Sequence, residues 1–309
     1  MTPIISIIMP VYNAEETVGR MIDTIINQTY TNWELIAVND GSNDHSKEIL
    51  DMYEQNNSRI KVVHKDNGGV ASARQTGIEK AKGKYIIHAD SDDWVETSML
   101  EEMYNKAIEE NADMIIADYY TEDNKGNLKY INQKQSSFCT EDLLYNLYIG
   151  KLFGGLCHKL IKKEIFDKVN FSKGINYCED HLLLTKILKN KNLKIVHLPK
   201  AFYHYIQNNN SLTRKVSLNG LESMRMFHQE ALKLLENDER FSFLEEDFKV
   251  KEFYVIFINK LYKNKGDLKK LYKKIKPFLN WNNIGLRWKL GYKCIDLGLV
   301  RMAHNLIKF

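Results

Sequence analysis

Lys84-Tyr-Ile-Ile-His-Ala-Asp-Ser-Asp-Asp-Trp94 carries an interior strand straight into a cluster of three carboxylates. Tyr85, Ile86, Ile87 and Ala89 are the apolar run of a buried strand, interrupted by His88. Asp90, Asp92 and Asp93 follow, with only Ser91 between the first two. Negative charges packed this closely repel one another, so a fold that gathers them at a strand end calls for a positive partner. A divalent cation with oxygen ligands is the simplest. In such an Asp-x-Asp pair one carboxylate can take the metal while the other orients a ligand. The alternative is a solvated acidic turn capping a helix that begins near Thr97. The flanking sequence has to decide between them.

Working outward, strand and helix signals alternate over residues 1–120. Strands are predicted at Ile4–Met9, Trp33–Val38, Ile60–His64, Tyr85–Ala89 and Asp113–Ala117. Helices are predicted at Ala14–Gln28, Ser42–Gln55, Val70–Lys82 and Ser98–Asn111. This alternation implies an α/β fold with a mostly parallel central sheet covered on both faces. Ligands of such sheets bind beyond the carboxyl ends of the strands. Three of those ends are polar: Pro10-Val-Tyr-Asn13, Asn39-Asp-Gly-Ser42 and Asp90-Ser-Asp-Asp93.

No Gly-x-Gly-x-x-Gly follows the first strand and no Gly-x-x-x-x-Gly-Lys-Ser/Thr occurs, which argues against dehydrogenase-type dinucleotide binding and P-loop chemistry. The turn Asn67-Gly-Gly-Val-Ala-Ser-Ala-Arg74 opens a helix, whose start offers N–H groups to an anion. Arg74, one helical turn in, can reach a phosphate, hold Asp90 and Asp92, or simply lie at the surface. Further on, Asp123-Asn-Lys-Gly-Asn127 reads as a turn between strands. Glu179-Asp180 precede the apolar helix Leu182–Leu188, either as caps or as working acids. A strand is predicted at Leu193–Leu198, followed by Ala201-Phe-Tyr-His-Tyr-Ile-Gln207. His204 lies among these aromatics as a packed, hydrogen-bonded residue or as a metal ligand.

In that order and spacing, Pro10-Val-Tyr-Asn13, Val38-Asn-Asp-Gly-Ser42, Asn67–Arg74, Asp90-Ser-Asp-Asp93 and Glu179-Asp180 resemble glycosyltransferase family 2 enzymes of the GT-A fold, over about residues 1–215. The resemblance implies an inverting, metal-assisted transferase that moves a sugar from a UDP-sugar to a glycan or lipid-linked acceptor in surface-polysaccharide synthesis. On the matching positions, Pro10, Val11 and Asn13 would line the uracil and ribose pocket, and Asp40 would accept the uracil ring N–H. Asn67 and Arg74 would border the diphosphate, and Asp90 with Ser91 would meet the ribose or donor sugar. Asp92 would bind Mn²⁺ or Mg²⁺, with His204 as a further ligand. Asp180, beside Glu179, would be the general base. The chemistry independently asks for such parts. A departing diphosphate needs its growing charge stabilised, and single displacement needs a carboxylate on the opposite face to take the acceptor proton. Rival expectations are a sugar-phosphate nucleotidyltransferase and a non-catalytic nucleotide-sugar binding module. The implied organisation is a catalytic domain over 1–215, with a nucleotide-sugar half at 1–120 and an acceptor half at 121–215, then a basic helical extension over 216–309.

The total charge of +4 conceals an asymmetry, because Lys249–Phe309 holds 15 Lys and Arg against 3 Asp and Glu. That segment is therefore +12 and the preceding residues −8. Helical apolar spacing is read at Leu218–Leu235, Phe248–Tyr262, Lys260–Lys276 and Ile284–Phe309, the last as one amphipathic stretch suited to an anionic bilayer. The alternatives are a helical subdomain with solvated lysines and, with no recognised module to support it, nucleic-acid binding. No run of about 18 apolar residues occurs. The start of the chain reads as a first strand rather than a signal peptide. The four scattered cysteines read as free thiols. Together these give the expectation of a cytoplasmic protein, peripheral on the inner face of the cell membrane.

Overall fold

The computed structural model describes residues 2–190, 192–207, 216–279 and 285–307. The polar run 208–214, Ile284 and residues 308–309, all read above as part of larger stretches, lie outside the described residues. The chain divides into two units, Met1–Asn209 and Asn210–Phe309.

The first unit begins with β1 (Ile5–Val11), α1 (Val18–Ile26), β2 (Trp33–Asp40), α2 (Ser46–Asn56), β3 (Ile60–Lys65), α3 (Val70–Lys80) and β4 (Tyr85–His88). It continues with β5 (Trp94–Val95), α4 (Met99–Glu109), β6 (Met114–Glu122), β7 (Leu128–Ile131), α5 (Thr140–Tyr148), β8 (Lys159–Lys162), α6 (Glu179–Leu188) and β9 (Ile195–Ile206). One sheet runs β3-β2-β1-β4-β8-β6-β9-β5, with β7 on β6. The first four strands are parallel and in register, so the ends of β1 and β2 and the residues just past β4 open onto one rim. α1 packs on the face carrying Ile7 and Met9, while Gly77 of α3 lies against Ile8 on the other. At the opposite rim a buried Ser6–Glu34 bond of 2.6 Å ties the strand starts to the turn before β4.

Beyond β4 the sheet is mixed. The four-residue β8, too short to be read from sequence, enters antiparallel between β4 and β6. β9 is one strand where two segments were expected. It accommodates Pro199 at a register shift opposite Ala117–Asp118, where no ladder donor is needed. α1 starts later than the expected Ala14. The N–H groups of Ala14 and Glu15 instead go to the side chains of Ser46 and Asp44, at 2.8 and 3.0 Å.

The second unit is helical: α7 (Leu218–Leu235), α8 (Leu244–Ile258), α9 (Lys265–Ile275), α10 (Leu286–Asp296) and α11 (Val300–Ile307). Phe253, Phe257, Leu268, Tyr272, Tyr292, Ile295 and Ile307 form its core. The stretch expected as one amphipathic helix is two, because the chain reverses at Gly298 with φ of 75°. Among the described residues no helix is long and apolar enough to cross a membrane.

Candidate active site

The rim above β1 and β2 is built by two loops that hold each other. Asn13, at φ 49°, donates its N–H to Ser42 Oγ at 3.0 Å, and its Oδ1 accepts the Asn43 N–H at 2.8 Å. Val11 is buried and paired with Asn39, and Pro10 is half-buried beside Val38. Asn39 is itself oriented by His64, whose other nitrogen faces Asp51.

Asp40, only 3% exposed, closes this rim toward α3. Its Oδ1 accepts Lys65 Nζ at 2.6 Å and the Gly68 N–H at 3.0 Å, and Oδ2 accepts the Gly69 N–H at 2.7 Å. Asn67 is exposed, with its backbone nitrogen 2.9 Å from where a Cβ on Gly41 would lie. The helix-start N–H groups expected to face an anion are therefore partly spoken for, because Asn176 also accepts the Ala71 N–H at 3.3 Å. Gly69 has φ 85°, and a Cβ there would fall 2.3 Å from the Asn176 amide. Gly69→Ala is expected to cost about 1–3 kcal/mol from backbone strain alone. Urea denaturation of the variant checks this, and an unchanged midpoint would refute it.

Arg74 is the hub. One helical turn into α3 and 4% exposed, it pairs with Asp90 at 2.7 Å, Glu179 at 2.5 Å and Asp180. Burial works against its charge, but Asp180, Asp90 and Glu179 outweigh it and hold the guanidinium firmly protonated. Of the sequence options, the structure realises the one in which Arg74 holds carboxylates, Asp90 among them. Glu179 and Asp180 reach it because Cys178 takes a left-handed conformation, φ 61°, immediately before α6. Asp180 is pushed up to about 7 by burial first and then by Glu179 and Asp90, while Arg74 and the Leu156 N–H pull it down.

The Leu156 loop is held by a buried lysine. Lys159 is fully buried and donates to the carbonyls of Phe153 and Gly155, at 2.8 and 2.6 Å, and its Nζ lies 2.8 Å from His158 Nε2. Burial brings its amine down to about 7. A lysine before an apolar pair carries no sequence signal of burial, which depends on where β8 enters the sheet.

The acidic cluster closes as a turn, the Asp93 N–H donating to the Asp90 carbonyl across half-buried Ser91. Arg20 of α1 donates to the Asp92 carbonyl. Asp93, which sequence reading left without a role, is 1% exposed and accepts from Tyr203 OH and the Ile206 N–H, both at 2.7 Å. Tyr203 OH in turn accepts the Asp90 N–H at 2.9 Å. Burial, then the charges of Asp90 and Asp92, raise the Asp93 carboxyl well above its usual range. His204, expected as a metal ligand, is packed among aromatic rings. Its ring stacks on Trp94 with centroids 3.4 Å apart and on Tyr120 at 4.8 Å, and Nε2 is bonded to Glu96 at 2.9 Å. The paired registers of β5, β9 and β6 bring these rings together. Among the described residues no group of three or more His, Cys, Asp or Glu side chains is placed to hold a metal ion. The charge accumulated around Asp92 fits a cation shared with ligand oxygens rather than one caged by protein alone.

Residues 6–169 match the sequence model of "Glycosyl transferase family 2". The chain is 34% identical over 225 residues to the glycosyltransferase GlyG of Streptococcus pneumoniae, covering 69% of this chain and 74% of that protein. It is 31% identical over 221 residues to the uncharacterized glycosyltransferase EpsJ of Bacillus subtilis, covering 69% and 64%. It is also 31% identical over 231 residues to the cholesterol galactosyltransferase of Borreliella burgdorferi, covering 69% and 63%. In fold it resembles S. aureus TarS 1–349 solved with UDP-GlcNAc, with a TM-score of 0.67 at 17% identity over 99% of this chain and 90% of that one.

Proposed function

The chain belongs to glycosyl transferase family 2, and from that premise we propose that this glycosyltransferase uses a UDP-sugar and inverts the anomeric centre. The acceptor is a glycan or lipid-linked saccharide hydroxyl in surface-polysaccharide synthesis, and the protein works at the cytoplasmic face of the cell membrane. The carrying observation is the Arg74 hub, which joins Asp90 on the donor side to Glu179 and Asp180 on the acceptor side. In this reading residues 1–120 hold the nucleotide-sugar and 121–215 the acceptor. A solved relative in fold binds UDP-GlcNAc, which supports the donor class.

Pro10, Val11 and Asn13 flank the base and ribose. Asp40 keeps a lone-pair direction on Oδ2 for the uracil N–H, since a carboxylate offers about four acceptor sites and three are used within the chain. Asn67 borders the diphosphate. Asp90, fixed by Arg74 and backed by Tyr203, meets the sugar or ribose together with Ser91. Asp92 would hold Mn²⁺ or Mg²⁺, which when bound neutralises charge on the departing diphosphate. His204 would join as a further ligand on giving up its Nε2 bond to Glu96. Asp180 accepts the proton of the acceptor hydroxyl as its oxygen attacks the anomeric carbon.

Screening UDP-sugars for UDP release with and without Mn²⁺ tests this reading. Release is expected to need metal and to fall at least about tenfold in Asp92→Ala. Metal-independent release would remove Asp92 from its role, and no release with any UDP-sugar would remove the donor class.

The pH dependence follows from Asp180. Its proton is held up to about 7, so the basic form grows as pH rises through that value. Log kcat is expected to climb with unit slope below about 7 and level off above it. A profile flat from pH 5 to 8 would show that another group takes the proton.

A further inference from the structure

Just ahead of β8 the chain passes over the first turn of α6. A Cβ on Gly154 would lie 3.2 Å from the side chain of His181, the neighbour of Asp180. From this loop the Leu156 N–H reaches Asp180. The loop is tied at one end by the Phe153 N–H, which donates to Gln133 Oε1 at 3.0 Å. At the other end it enters the sheet, where Lys159 pairs with Ile116 of β6. Between these ties Lys159 Nζ turns back to donate to the Phe153 and Gly155 carbonyls. The Gly155 carbonyl and the Leu156 N–H belong to one planar peptide and point in opposite directions. Whatever holds the carbonyl therefore aims the N–H.

We propose that Lys159 is a positioning residue for the acceptor-side base, clamping the Gly155–Leu156 peptide so that its N–H meets the Asp180 carboxylate. A bond to the carbonyl also polarises the peptide and strengthens the N–H as a donor. Satisfying two loop carbonyls needs only a neutral donor, whereas a buried amine is costly. The fold sustains that cost beside Asp180, whose charge favours the charged amine. Arg74 from α3, Asp90 from the turn after β4, Glu179 from the same helix, and Cys157 and Lys159 ahead of and within β8 are the charged and titratable groups around Asp180. The proposal rests on Asp180 being the base. One arm of its test needs no turnover, so its failure and that of the functional reading are distinguishable.

In Lys159→Met, kcat is expected to fall about tenfold or more while UDP affinity stays within about twofold of wild type. The acid limb of the pH profile should move to higher pH, because a carboxylate deprived of an N–H donor holds its proton more tightly. Lys159→Gln, one atom shorter but still a donor, is expected to recover part of both. The arm without turnover is a double-mutant cycle with Asp180→Asn, read by urea unfolding of the full chain. At pH 8, Lys159→Met is expected to raise the unfolding constant at least about twofold more with Asp180 in place than in the Asp180→Asn background. At pH 5, where Asp180 keeps its proton, that excess should vanish. Independent effects at pH 8, or a Met variant with wild-type kcat and acid limb, overturn the proposal. So does loss of UDP affinity along with kcat. Failure of both Lys159 variants to fold would make Lys159 a support of the whole unit and overturn it as well.

Discussion

Replacing Asp180 by Asn is expected to lower kcat about 10²- to 10⁴-fold, the range by which a positioned base accelerates proton transfer. UDP binding should stay near the wild-type value, because Asp180 serves the acceptor side. The substitution also has a stability signature of known sign. A carboxyl held at about 7 in the folded chain and near its ordinary value when unfolded costs stability as pH rises through that interval. At pH 8 the cost is fully present, and the neutral amide removes it, so the melting temperature of Asp180→Asn at pH 8 is expected to rise. At pH 4 the difference should largely vanish. Loss of UDP binding together with kcat would instead mark Asp180 as a donor-site residue.

Arg74→Met is expected to be the most damaging single change for the fold. It removes one buried cation from Asp90, Glu179 and Asp180, whose side chains are 27%, 12% and 19% exposed. Breaking a buried ion pair on one side costs about 3–5 kcal/mol, because the remaining charges lose their partner. For a unit of this size that corresponds to a drop of roughly 6–20 °C in Tm. The same loss removes the charge that pulls Asp180 down, so the acid limb of any residual activity should move to higher pH. Arg74→Lys restores the charge without the planar fork that spans the three carboxylates, and is expected to recover part of the stability but little of the kcat. Urea melts and pH profiles of the two variants check this. A Met variant as stable as wild type would show that the hub contributes little to the fold.

Much of the first unit was legible because its signals are local. Ile5–Val11, Trp33–Asp40 and Tyr85–His88 are apolar runs between polar turns, and their alternation with helices dictates parallel pairing. That pairing sets Asn13, Asp40 and Asp90 along one rim. The order of the motifs placed Glu179 and Asp180 among the candidates. It was silent on their meeting Arg74, which lies 105 and 106 residues away in the chain. It was equally silent on the burial of Lys159 and on the partners of Asn176 and Tyr203, which arise from β8 entering antiparallel and β9 lying beside β6.

His204 marks the limit from the other side. A histidine in an aromatic run has the same local sequence whatever surrounds it, and the register of β5, β6 and β9 sets its ring beside Trp94 and Tyr120. The sequence by itself determined which strands form and which polar residues stand at their ends, because burial of apolar runs is decided over a few residues. Only the tertiary structure decided which charges meet. The state of a buried carboxylate depends on the partners within a few ångströms, and here they come from segments far apart in the chain.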